Sequence, residues 1–280
     1  IHVDFHEQGI NEPYYFAPAA EPYHEIITPF QRDFQTQIGK NHARYFDQEG
    51  WLFFTRERFD LLYPSYGDTY PTFMGAIGMT YEQAGHGRAG LGINTDEGYE
   101  LTLVDRVAHH TTTGLSTVEM GSNNAAKLNT EFKKFFQNDN LKYKSYVVKG
   151  HPDKIDALTK LLQKHDIKYG IKSNGTVSGY SYSTNAQGTM NAANALVVNT
   201  NQPKGKMVQV LFEPDAALEE PLTYDITAWS IPHAYGLEAV ASTSLVTADK
   251  ELPTYNVNNV ASQTQQDTSA SGIVCTTPSF

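Results

Sequence analysis

Several scarcities in the 280-residue sequence exclude whole classes of protein. The single cysteine, Cys275, permits no disulfide within the chain, and its position in a polar segment does not favour a catalytic nucleophile. No apolar run approaches the roughly 20 residues that a membrane-spanning helix needs. Basic residues are also few, 21 Lys and Arg against 31 Asp and Glu, and the net charge of -10 argues against a nucleic-acid partner.

Two stretches that are present have the pattern of strands with one polar face. In residues 75–85 (GAIGMTYEQAG), apolar and polar side chains alternate, so a strand would carry Glu82 on its polar face. Residues 1–9 (IHVDFHEQG) alternate in the same way and would carry His6 on theirs. Open α/β sheets place their chemistry outside the carboxyl ends of strands. We therefore expect His6 and Glu82 to lie on neighbouring strand ends.

This pair of side chains suits hydrolysis at a metal centre. A neutral imidazole is a common zinc ligand, and a carboxylate beside an activated water is the usual general base. A catalytic zinc usually takes three protein ligands, whereas the sequence has no HxxE or HExxH motif to supply two of them. A solvent-facing Glu82 on an edge strand is the alternative that the pattern leaves open.

Three short motifs extend this picture, at residues 4–6 (DFH), 63–68 (YPSYGD) and 80–82 (TYE). Together they resemble the C-terminal half of the zinc carboxypeptidases of the funnelin type. The resemblance implies one zinc ion, with His6 as its third ligand and Glu82 as the base that activates the zinc-bound water. Tyr63 or Tyr66 would match the loop tyrosine that caps the substrate in this family. The implied function is hydrolysis of a peptide or peptidoglycan-type substrate.

In that family the HxxE motif, and the Arg and Asn that hold the substrate carboxylate, lie upstream of the DxH motif. We therefore expect the chain to be the C-terminal portion of a larger protein, with the remaining zinc ligands upstream of Ile1. This portion alone should be inactive. The family habit and the Lys-poor composition point to an exported bacterial protein, either periplasmic or secreted.

Two other functions stay open at this point. Aromatic residues at 14–16 and 63–70 would suit a non-catalytic protein that binds carbohydrate or cell-wall peptide. An amidase or deacylase would share the zinc and the base but would lack the Arg that holds a carboxylate. The sequence upstream of Ile1 would separate these alternatives from a carboxypeptidase.

The hydrophobic pattern predicts an α/β protein with two domains and a polar tail. Residues 1–138 would form the C-terminal part of a mixed-sheet zinc-carboxypeptidase domain. A helix over residues 23–45 would carry His24 and His42 at its surface. Residues 139–246 would form a smaller α/β domain, and residues 247–280, rich in Asn, Ser, Thr and Gln, a linker or tail.

The second domain begins with a strand, a helix and a strand, and this βαβ pattern predicts a largely parallel sheet. Residues 224–237 resemble a segment downstream of the peptidase domain in large bacterial members of the family, where the second domain is similar to a flavodoxin-like class I amidotransferase. Such enzymes need a nucleophilic Cys, and residues 139–246 contain none. We therefore expect a structural or substrate-docking module. If it binds a ligand, Asp225, Trp229 and His233 are the candidate contacts, although packing in a core or interface is favoured for Trp229.

Overall fold

The structure is a computed structural model that describes residues 1–85, 87–88, 90–138, 140–218 and 229–251. It is mixed α/β, with 35% helix and 24% strand, which confirms the predicted α/β class. Within these ranges no helix is long and apolar enough to cross a membrane. Cys275, Asp225 and all but the first residues of the predicted tail lie outside the described residues.

The first sheet is mixed and has four strands. They are β1 (His2–Gln8), β2 (Tyr14–Tyr15), β3 (Phe53–Phe54) and β4 (Gly78–Ala84), in the order β1-β4-β2-β3. β1 runs parallel to β4, and β2 runs antiparallel to it. A separate hairpin joins β5 (Ile93–Asn94) to β6 (Glu100–Leu101). The helices of this region are α1 (Pro29–Glu49), α2 (Thr69–Phe73), α3 (Leu103–Asn123) and α4 (Ala125–Phe135).

Local sequence signals account for the limits of α1. Thr28 and Gln31 form a capping box, and Pro29 occupies the first helical position, where its missing N–H costs nothing. Gly50 ends the helix in the left-handed conformation at a φ of 69°. The buried face of α1 then packs against β2 and β4, through the core side chains Phe34, Ile38, Phe46, Tyr14, Phe16 and Tyr81.

The predicted surface positions of His24 and His42 are wrong, since both side chains are 0% exposed. The ring nitrogens of His42 lie 2.7 Å from Ser116 Oγ and 2.8 Å from Tyr81 Oη. His24 precedes α1, and its Nδ1 accepts a hydrogen bond from the backbone N–H of Ile26. A buried imidazole costs little when its nitrogens are paired. The partners of His42 are too distant in sequence for helical spacing to reveal them.

The second sheet has seven strands in the order β10-β9-β12-β7-β11-β8-β13. They are β7 (Ser145–Lys149), β8 (Gly170–Lys172), β9 (Thr176–Ser181), β10 (Ala186–Asn191), β11 (Ala195–Asn199), β12 (Glu238–Ser242) and β13 (Lys250–Glu251). The helices α5 (Pro152–Lys164), α6 (Gly205–Phe212) and α7 (Ile231–Ala234) complete the region. β13 pairs with β8, although it falls within the segment predicted as a tail.

The prediction of a largely parallel, flavodoxin-like sheet is wrong, because every strand pair in this sheet is antiparallel. The predicted β7-α5-β8 unit exists, but β11 lies between its two strands. With α6 and β12, the elements form a ferredoxin-like βαββαβ unit, into which the β9-β10 hairpin is inserted. The β-α-β pattern of a sequence does not reveal whether its two strands pair directly or whether a later strand lies between them.

One hydrophobic core joins the two regions. Tyr23, Ile27 and Phe73 of the first region belong to the same buried cluster as Leu158, Met207 and Phe212 of the second. Within this interface, His24 Nε2 lies 2.5 Å from Glu213 Oε1, and the two side chains are 0% and 4% exposed. Burial raises the pKa of Glu213, and the hydrogen bond from His24 opposes that rise. The segment between β2 and α1 is thereby held against the second region.

We expect the free energy of unfolding to depend on pH through His42. Burial lowers the pKa of His42 from 6.5 to about 3, so below pH 6.5 the unfolded chain binds a proton that the folded chain does not. The stabilisation is complete above pH 6.5 and is lost as the pH falls towards 3. Between pH 7 and pH 5 the wild type should lose about 2 kcal/mol more stability than His42→Gln.

Urea denaturation at the two pH values measures this difference. His2→Gln is the matched control, because it removes an exposed histidine and should keep the pH dependence of the wild type. Equal losses in the wild type and His42→Gln would contradict the role of His42.

Candidate functional site

The parallel pairing of β1 with β4 sets His6 directly opposite Glu82. The register also pairs Asp4 with Thr80, so these four side chains share one face of the sheet. His6 Nδ1 lies 4.0 Å from Glu82 Oε1. The histidine side chain is 53% exposed, whereas that of Glu82 is only 8% exposed. His6 and Glu82, the two residues singled out from the sequence, therefore lie side by side on neighbouring strands. The side chain of His6 is open to solvent and that of Glu82 is buried.

A loop and a short helix close over this face. Asp68 precedes α2, and its carboxylate accepts hydrogen bonds from Thr80 Oγ1 at 2.9 Å and Thr69 Oγ1 at 3.1 Å. Gly67 lies so close to β1 that an added Cβ would fall 1.9 Å from Asp4 Oδ2. A cavity of about 160 Å³ results, lined by Asp4, His6, Phe59, Asp60, Tyr66, Gly67, Asp68, Thr80 and Glu82.

The cavity changes the protonation of Glu82. Burial raises the pKa of Glu82 from 4.5 to about 7, with His6 lowering it and the carboxylates of Asp4 and Asp68 raising it further. Burial also raises the pKa of Asp68. Glu82 Oε2 is buried and has no hydrogen-bond partner among the described residues. A carboxyl group that titrates near neutral pH, with one oxygen unsatisfied, is suited to accept a proton and to release it again.

The side chains fit a metal ion only in part. His6 Nε2 lies 3.0 Å from Asp4 Oδ2, the kind of carboxylate contact that orients a ligating histidine. Nδ1 is then left to bind a ligand on the side of Glu82. Among the residues that the structure describes, however, no group of three or more His, Cys, Asp or Glu side chains could hold a metal. The described chain offers one metal ligand and a base, and it does not complete a zinc site.

The structure separates the two candidate capping tyrosines. Tyr66 is 39% exposed and borders the cavity of Glu82, whereas Tyr63 does not. The two rings contact each other edge to face with centroids 5.2 Å apart. Tyr63 then packs against Trp229 of the second region, at 6.0 Å between ring centroids. Tyr66 is therefore the tyrosine that the fold places beside Glu82.

A larger cavity of about 700 Å³ adjoins the first and shares Tyr66 and Gly67 with it. It lies between the two regions and is lined mainly by aromatic and apolar side chains, among them Tyr63, Tyr66, Tyr70, Leu161, Met207, Leu211, Trp229 and Ile231. The sequence pattern pointed to Trp229 but missed the wall that α5 and α6 provide. The apolar face of each of these two helices is visible in the sequence, but an apolar face alone does not show which part of the protein it packs against.

The aromatic residues at 14–16 do not border the cavity of Glu82. Tyr14, Tyr15 and Phe16 are at most 2% exposed and pack in the interior, and of the three only Tyr14 lines another described cavity, beside Trp51. Tyr14 Oη lies 2.9 Å from Thr113 Oγ1 inside the first region. His233 packs against Tyr182 and does not line the larger cavity between the two regions, called the interdomain cavity below.

No family model, curated protein or solved structure matches the chain. What the site can do chemically therefore rests on its own side chains. These are a carboxyl group that titrates near neutrality, an imidazole oriented by a carboxylate, and a half-exposed tyrosine above them.

Carboxyl carbon NMR should find that Glu82 titrates near pH 7, because burial disfavours its charged form. In His6→Ala the pKa of Glu82 should rise, since the neighbouring imidazole favours the carboxylate. In Asp4→Asn it should fall, since a repelling charge is lost. Glu82→Gln identifies the signal by its absence. A Glu82 signal that titrates with the exposed carboxyl groups would overturn this description of the site.

Proposed function

We propose that the chain carries part of the active site of a zinc-dependent metallopeptidase of the carboxypeptidase type. The observation that supports this most is the pairing of His6 with Glu82 across β1 and β4, at the buried end of a cavity. The resemblance of the DFH and TYE motifs to the zinc carboxypeptidases points the same way. The substrate would be a peptide or a peptidoglycan-type peptide, and the protein would be exported, to the periplasm or the medium.

In this proposal each described side chain has a definite task. A zinc ion, when bound, supplies a Lewis acid that polarises a scissile carbonyl and lowers the pKa of water. His6 would hold the metal through Nδ1, while Asp4 fixes the ring through Nε2. Glu82 would take a proton from the attacking water and deliver it to the leaving amine. A pKa of about 7 suits a group that does both at neutral pH.

The remaining parts of the site would come from residues upstream of Ile1. These are the two other zinc ligands, expected in an HxxE motif, and the Arg and Asn that hold a substrate carboxylate. Tyr66 would close over the bound substrate from the loop that borders the cavity. A protein with the zinc and the base but without the carboxylate-binding Arg would instead be an amidase or a deacylase.

A second candidate function is supported by the interdomain cavity. Its volume of about 700 Å³ and its tyrosine and tryptophan lining suit a protein that binds carbohydrate or cell-wall peptide without cleaving it. This alternative assigns no chemistry to Glu82. The two functions therefore differ in what the loss of the Glu82 carboxylate would do.

Calorimetric titration of zinc into the 280-residue chain tests the proposed division of ligands. With His6 as the sole strong ligand, zinc should bind more weakly than about 1 μM, because a catalytic zinc usually takes three protein ligands. His6→Ala should remove what binding there is. Tighter binding would contradict the proposal that the other ligands lie outside the described residues.

In a protein extended upstream to include an HxxE motif, we expect release of the C-terminal residue from short peptides. Glu82→Gln should lower kcat by about 10²–10⁴-fold with the zinc content unchanged, because it removes the general base. Asp4→Asn should weaken zinc binding by about 10–100-fold. Glu57→Gln, at an exposed position, is the matched control. Peptide binding without cleavage in the wild type would favour the binding protein instead.

A further inference from the structure

A third cavity, of about 430 Å³, opens on the face of β4 opposite Glu82. Gln83 lines it, and adjacent strand residues point to opposite faces. Among the residues that the structure describes, four carboxylates border the cavity, from Glu12, Glu97, Glu100 and Asp105, and no Lys or Arg does. Nothing in the proposed peptidase chemistry uses this cavity, which therefore needs an explanation of its own.

The floor of the cavity presents an unused hydrogen-bond acceptor. His109 is only 6% exposed, and its Nδ1 lies 2.7 Å from Gln83 Oε1. An amide oxygen can only accept, so Nδ1 carries the hydrogen and Nε2 is left with its lone pair. Nε2 has no hydrogen-bond partner among the described residues. His109 lines the cavity, so a bound ligand could supply that partner. Burial lowers the pKa of His109 to about 4, which keeps the ring neutral at pH 7.

Aromatic rings form the walls above this acceptor. Trp51 packs edge to face against the His109 ring, with centroids 4.5 Å apart. Tyr99 is 44% exposed at the rim, and its pKa is raised by burial and, to a smaller extent, by the carboxylates of Glu97 and Asp105. The faces of such rings attract cations. The cavity thus combines a negative rim, aromatic walls and a lone pair at its base.

The carboxylates differ in how far they are already engaged. Glu12 Oε1 lies 3.1 Å from Arg58, and Asp105 accepts a hydrogen bond of 2.8 Å from the backbone of Thr102 at the start of α3. Glu97 and Glu100 are exposed and form no ion pair with another described residue. These two side chains are therefore the ones free to neutralise a ligand.

The arrangement selects the chemistry of that ligand. No three of the described acidic or histidine side chains converge to hold a metal ion, so the negative charge is spread around a rim and suits a larger cation. His109 Nε2 requires an N–H donor, which a quaternary ammonium lacks. A guanidinium group has such donors, and its flat face stacks on aromatic rings. We infer that this cavity binds a guanidinium group, such as the side chain of an arginine, between His109 Nε2 and the carboxylates of Glu97 and Glu100.

Calorimetric titration with arginine amide at low salt tests this inference on the chain itself. Saturable binding with a Kd of about 1 mM or tighter is expected. Citrulline amide, which has the same shape but a neutral urea group, should bind at least about 10-fold more weakly, because it offers the rim no charge. The absence of saturable binding, or equal affinity for the two amides, would overturn the inference.

Variants connect the binding to this cavity. The double variant Glu97→Gln with Glu100→Gln should raise the Kd for arginine amide at least about 10-fold, and both positions are exposed, so folding should not suffer. Glu57→Gln with Glu238→Gln removes the same charge from exposed positions elsewhere and should leave the Kd unchanged. An unchanged Kd in the first pair, or an equal rise in both pairs, would contradict the assigned site.

Trp51 provides a local signal. The chain has two tryptophans, so Trp229→Phe leaves Trp51 as the only one. Its fluorescence should change with arginine amide along the calorimetric binding curve, and citrulline amide should change it only at the higher concentrations that its weaker binding requires. Binding that leaves the emission of Trp51 unaltered would place the ligand elsewhere on the protein. Because neither measurement involves peptide cleavage, the outcome is independent of the proposed function.

Discussion

The pairing of β1 with β4 is the constraint on which the candidate site depends. Side chains alternate between the two faces of a strand, so a shift of one residue in this register would turn His6 away from Glu82. The approach of α2 fixes the arrangement from above. A Cβ at Gly78 would fall 2.0 Å from the backbone oxygen of Asp68, so the start of β4 is a glycine because Asp68 lies against it. The same contact holds Asp68 over Thr80.

The electrostatics of the site follow from this packing. Glu82 shares a cavity with three other carboxylates, and burial contributes more to its raised pKa than the charges of Asp4 and Asp68 do. The loop that buries it is itself braced by the second region, through the contact of Tyr63 with Trp229. The second region therefore contributes to the surroundings of Glu82 without touching it. This gives the ferredoxin-like unit a place in the architecture of the site, as one wall of the adjoining cavity.

Much of the first region could be predicted from local patterns. Alternating residues indicated β1 and β4, and the Gly turn after each strand indicated where the polar side chains would meet. The helix predicted over residues 23–45 exists, but it begins at Pro29, after the capping residue Thr28, and ends at Glu49. The rest depends on contacts between distant residues. His42 is buried because Ser116, 74 positions further on, satisfies its ring, and β11 separates β7 from β8 although neither strand's sequence shows it.

The acceptor of His109 also depends on such a contact. Adjacent histidines on a helix diverge by about 100°, so His109 and His110 are poorly placed to chelate one metal together, and their sequence alone indicates nothing further. Only the contact with Gln83 on β4 determines which nitrogen of His109 carries the hydrogen. Locating the lone pair of His109 therefore requires the positions of both α3, which carries His109, and β4, which carries Gln83.

The buried pair of His24 and Glu213 has a consequence for any attempt to divide the protein. A cut near residue 138 would leave the Glu213 carboxylate on an apolar surface without the imidazole of His24. It would also expose Tyr23, Ile27 and Phe73 to water. Each half would then be prone to aggregate. Although the two sheets are separate, their shared hydrophobic core favours cooperative folding of the two regions as one unit.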